Sequence, residues 1–68
     1  MTVASQVKQT VASLKGVQAT LDSFALLEKI PETKMLFEAN SDRLNHIIEI
    51  IEQRVSELEF QEPQYKGL

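Results

Sequence analysis

The 68 residues include no cysteine and no tryptophan, and only two glycines, two prolines, one histidine and one tyrosine. Without cysteine there is no disulfide framework, an absence that fits a reducing compartment. With Gly16 and Gly67 as the only glycines, there is no glycine-rich loop to cradle a phosphate. No apolar run approaches the roughly 20 residues that span a bilayer. The opening Met1-Thr2-Val3-Ala4-Ser5-Gln6 lacks the basic and hydrophobic regions of a secretory signal, so cytoplasmic residence is the expectation. A net charge of -3 argues against nucleic acid as a partner, because phosphates are bound through an excess of Lys and Arg.

The chemistry-bearing residues do not assemble into a catalytic pattern. A carboxylate-bridged di-metal bundle needs inward Glu residues and Glu-x-x-His pairs. Here His46 has Arg43 at that offset and shares the polar face with Asp42, Glu49 and Gln53, so it reads as a solvated surface residue. Glu49, Glu52, Glu57, Glu59 and Glu62 form a solvated acidic face without the apolar surroundings that a general acid uses. The serines have no base in a suitable position for nucleophilic work. The expectation is a protein that is not an enzyme and has no metal and no cofactor.

What the chain does have is helical periodicity. Val3, Val7, Val11, Leu14, Val17, Leu21 and Phe24 recur at steps of three or four, the spacing of one helix face. In the second half Phe37, Leu44, Ile51 and Leu58 repeat every seven residues, with Ile47, Ile48 and Val55 between them and Glu38, Asp42, Asn45, Glu49, Glu52 and Ser56 opposite. Pro31 restricts Ile30 to extended backbone and suits a first helical turn, with Glu32 near the positive end of the helix dipole. Pro63 stops the second helix. The pattern predicts an all-α, single-domain antiparallel hairpin over 1–68: a helix over about 2–29, a turn at about 29–32, a helix over about 31–61 and an extended tail at 62–68. Asn40-Ser41-Asp42 is a candidate second break, because these side chains compete for backbone hydrogen bonds, but Phe37 and Leu44 stay in phase across it. The expected core is Val7, Leu14, Leu21, Leu44, Ile51, Val55 and Leu58.

A single core in a chain this short supplies no more than ~3 to 5 kcal/mol, so a partner subunit is expected to add to it. The apolar stripe of the second helix, from Ile47 round to Ile48, is wider than one partner helix covers. A homodimer, two hairpins forming a four-helix bundle, is therefore the expected assembly. Charge is also unevenly divided. Residues 1–30 carry Lys8, Lys15 and Lys29 against Asp22 and Glu28, while the other eight carboxylates lie in the second half, which favours pairing of the two halves.

The back of the first helix is a second, uncharged surface of small side chains: Ser5, Gln9, Ala12, Gly16, Ala19, Thr20 and Ser23. Small residues admit close approach of another backbone. Ser5, Gln9, Ala12, Gly16, Ala19 and Ser23, with Pro63, Tyr65 and Lys66 in the tail, are thus candidate partner-docking residues, against the plainer reading of a solvated helix back and a frayed terminus.

The segments Met1-Thr2-Val3, Ser5-Gln6-Val7-Lys8-Gln9-Thr10, Ala12-Ser13-Leu14-Lys15-Gly16 and Glu62-Pro63-Gln64-Tyr65-Lys66-Gly67 together resemble a small family of spore-forming Gram-positive bacteria. Members of that family are domains of unknown function encoded among sporulation and spore-membrane genes, and a similar domain can be joined to a membrane protein. The stretch from Leu27 to Pro31 departs from the family pattern in being more apolar and holding a proline. The resemblance implies a sporulation context, a spore membrane protein as a second partner, and a location in the spore core or on the inner face of the spore membrane.

The expected function is a non-enzymatic protein–protein interaction module linked to sporulation or spore resistance. One alternative is a small-ligand binder or enzyme whose pocket forms between subunits, with Asn40 as the candidate buried polar group. Another is a peripheral membrane-surface protein, disfavoured because the polar face of the second helix carries mostly Glu rather than Lys and Arg.

Overall fold

The computed structural model describes residues 3–61, which form two helices, α1 (Val3–Leu27) and α2 (Pro31–Gln61). They pack antiparallel into a rod with principal extents of 49 × 17 × 11 Å. The connection is residues 28–30. Its geometry follows from the proline and one carboxylate. Glu28 N–H donates the last bond of α1 to Phe24 O at 2.9 Å, and the Glu28 Oε1 then accepts from the amides of Lys29 (3.0 Å) and Ile30 (3.1 Å). Those donors would otherwise be left without helical partners, and this ends α1 at Leu27, ahead of the expected 29. Ile30 O accepts the first bond of α2 from Lys34 N at 2.9 Å, which places Pro31 at the first helical position, where its missing N–H costs nothing. The turn needs no left-handed residue.

α2 runs unbroken through Asn40-Ser41-Asp42. Asn40 folds its side chain back, Nδ2 donating to Leu36 O at 2.8 Å, so its hydrogen-bonding capacity supports the helix instead of interrupting it.

The seam between the helices is built on small residues. Ala4, Val11 and Ala25 on α1 and Ser41, Ile48 and Val55 on α2 are the buried side chains among the described residues. Within each helix these lie seven, or twice seven, residues apart, and Gln18 fills the remaining α1 position half-buried. Of the expected core, Val55 alone is buried; Val7, Leu14, Leu21, Leu44, Ile51 and Leu58 are half-buried along one rim of the seam. The physical reason is that alanine and serine allow the two backbones closer together than facing leucines do, so the large side chains are displaced to the side of the contact line.

A polar layer crosses the seam near its middle. Ser41 Oγ donates to Asp22 Oδ1 at 2.5 Å, and Gln18 Nε2 donates to Ser41 O at 3.5 Å. The buried polar residue of the hairpin is therefore Ser41, whereas Asn40, the sequence-based candidate, is half-buried at the adjacent edge. Substituting Ser41→Ala is expected to lower unfolding free energy by about 0.5–1.5 kcal/mol. Asp22→Ala should cost a similar amount, with the double variant no worse than either single one in chemical denaturation. Additive losses would mean that the two side chains do not share one bond.

Candidate functional site

The two sides of the rod differ in kind. At about 100° per residue, Lys8 and Lys15 fall on the same flank of α1 and Glu52 and Glu59 on the facing flank of α2. Lys8 Nζ meets Glu59 Oε2 at 2.8 Å and Lys15 Nζ meets Glu52 Oε2 at 2.9 Å, closing this side with two successive ion pairs. The Lys15–Glu52 pair is well exposed and the Lys8–Glu59 pair is covered on its carboxylate side, and each contributes about 1 kcal/mol or less, so they fix the facing flanks more than they add stability. Between them lies an open groove of about 340 Å³ floored by Val11, Ala12 and Val55. Its four charged residues are those of the two ion pairs, and none is left over to recognise a ligand.

The opposite side is apolar and open. The half-buried residues of the rim, Val7, Leu14, Leu21, Phe37, Leu44, Ile51 and Leu58, present their outer surfaces there. They are flanked by Val3 (52% exposed), Val17 (51%) and Phe24 (48%) on α1 and Ile47 (49%) on α2. The rings of Phe24 and Phe37 pack tilted, centroids 5.5 Å apart, at the end nearest the turn. At the other end a trough of about 540 Å³ is lined by Val7, Ile51, Leu58 and Arg54, among others. Large apolar side chains thus form one continuous strip along the rod.

The sequence-based docking residues have a different setting. Gln9, Ala12, Gly16, Ala19 and Ser23 are exposed and Ser5 is half-buried at the edge of the seam. The hydroxyls of this region turn inward: Thr10 Oγ1 donates to Gln6 O, Ser13 Oγ to Gln9 O, Thr20 Oγ1 to Gly16 O and Ser23 Oγ to Ala19 O, at 3.1–3.2 Å. Each hydroxyl is thus occupied by its own helix. Pro63, Tyr65 and Lys66 lie outside the described residues. A Cβ built on Gly16 meets nothing within 4 Å, so Gly16→Ala is expected to stabilise the fold by about 0.5–1 kcal/mol, raising Tm in a thermal melt. A lowered Tm would show that something packs against this position.

His46 is exposed, and among the described residues no group of three or more His, Asp or Glu side chains is placed to hold a metal ion. No described helix is long and apolar enough to cross a membrane. The site that the fold builds is therefore the open apolar face. Sequence reasoning found its stripe but not its boundary with the seam. The signal for that boundary was the seven-residue spacing of Lys8 and Lys15 against that of Glu52 and Glu59, which marks the flank that closes.

Residues 7–55, which hold nearly all of the seam and the open face, match the family described as "Protein of unknown function (DUF1657)", and the chain belongs to that family. The segment Glu62 to Gly67 falls outside the matched span. No curated protein and no solved structure matches the chain.

Proposed function

We propose that this chain is a non-enzymatic protein–protein interaction module that works as a homodimer, its open apolar face pairing with the same face of a second copy to form a four-helix bundle. The carrying observation is that strip of large apolar side chains, from Phe37 through Leu44, Ile47 and Ile51 to Leu58, left partly open by the helix that packs beside it. On the rod's extents one such face has a footprint of roughly 800 Å², the area each partner contributes to a standard-size stable interface. Covering it adds the stabilisation that a two-helix core of alanine, valine and one isoleucine lacks. Twofold pairing of identical faces is the commonest way to close such a surface.

The proposed setting is spore formation or spore resistance, with a spore membrane protein as second partner and the spore core or inner face of the spore membrane as location. This rests on the family resemblance of the sequence. Two experiments test the reading. Sedimentation velocity on the 7.7 kDa chain should show a species of twice that mass at micromolar concentration; a cooperatively folded monomer that persists on concentration overturns the dimer. Deleting the gene in its host should lower heat survival of the spores, and full resistance with no sporulation-linked expression overturns the setting.

A further inference from the structure

Resting on the dimer just proposed, we infer that the two hairpins meet tip to tail, with α2 packed antiparallel on α2 of the partner, the dyad passing beside Ile50, and Arg43 paired with Glu57 of the partner subunit. The argument begins with the outer edge of the open face. Arg43, Ile50 and Glu57 share one line on α2, at about 200° from the seam, each a heptad from the next. Ile50 is 54% exposed and has no packing role within the hairpin that would call for an isoleucine. The two charges are of opposite sign and equidistant from it. Antiparallel helices related by a dyad at residue 50 bring residue 43 of each level with residue 57 of the other, so the arrangement makes two Arg–Glu pairs and one Ile50–Ile50 contact. This repeats across the dimer what Lys8–Glu59 and Lys15–Glu52 do within the chain, where flanking charges close the edge of a packed seam.

Within one chain the two charges cannot meet, because fourteen residues of helix hold them about 21 Å apart. Glu57 instead has a loose pair with Arg54 at 3.6 Å, which places that carboxylate at the edge and leaves it room for a second cation. The alternative twofold packing, tips together, sets α2 against the partner's α1. By the register of the Phe24–Phe37 and Gln18–Ser41 contacts it puts Arg43 near Gln18 and Glu57 near Ala4 of the partner, and makes no charge pair.

The absence of cysteine makes the test direct. Ile50→Cys chains under mild oxidation are expected to join almost completely into disulfide-linked dimers. A spin label on Ile30→Cys lies twenty residues of helix from a dyad at Ile50, so it should report a distance of about 60 Å; tips together would place the labels within about 20 Å, two helix diameters. Arg43→Glu and Glu57→Arg should each weaken dimerisation roughly tenfold, and the double reversal should restore it. A dimer with no disulfide at residue 50, a short tip-to-tip distance and no rescue overturns the orientation while leaving the dimer intact. A monomer at all concentrations overturns both.

Discussion

Replacing Ile48 by alanine is expected to lower the unfolding free energy by about 2–4 kcal/mol, enough to leave much of the chain unfolded at room temperature. Ile48 is 2% exposed and is the largest side chain in the seam, facing alanine and valine neighbours that cannot move in to fill the space it would vacate. With a total stability of only about 3–5 kcal/mol to draw on, loss of that one contact shows directly in the far-ultraviolet circular dichroism melt. Ile51→Ala makes the informative comparison. Ile51 is half-buried in the hairpin, so its truncation costs about half as much if the open face stays in water and as much as Ile48→Ala if a second copy covers it. Equal losses with a concentration-dependent Tm identify the covered face. A negligible loss at Ile48 would mean that the seam lies elsewhere.

The second large effect is on association. Leu44→Glu combined with Ile51→Glu places four carboxylates at the centre of the proposed bundle, two from each chain. Burying unpaired charge is far more costly than losing the apolar contact, so the dissociation constant should rise at least a hundredfold. Equilibrium sedimentation reads this directly. In the isolated hairpin both positions face solvent on one side, so the variant can keep its helices at concentrations where it no longer pairs. Unchanged self-association would remove this face from consideration as the interface.

Much of this architecture was readable from the chain. The spacing of Phe37, Leu44, Ile51 and Leu58 set the face of α2, and Pro31 marked the first turn of that helix. Hydrophobicity could not show which edge of a wide stripe faces the sister helix, since Ile48 and Ile51 are alike by composition. Packing decides that, and it is decided by Ala4, Ala25 and Ser41, small residues that no apolar pattern highlights. For the same reason Ser41 escaped notice as the buried polar residue while its neighbour Asn40 did not. The turn-closing role of Glu28 was equally hidden, because a carboxylate that caps two amides has the same spelling as one on the surface.

The shortness of the connection also sets an order of events. Residues 28–30 join the helices, so the contact of Phe24 with Phe37 closes a loop of about a dozen residues, a step with low entropic cost and a time of about 10–100 ns. From there each pair brings the next within reach: Asp22 with Ser41, then Lys15 with Glu52, then Lys8 with Glu59. The 51 residues that separate the last two partners are never spanned in a single closure. Pairing spreads outward from the turn in the manner of a zip, which is why a chain rich in contacts distant in sequence can still fold at the speed of a local one. The start of α1 and the end of α2 come together last, and only then is the strip proposed to receive a partner complete along its length.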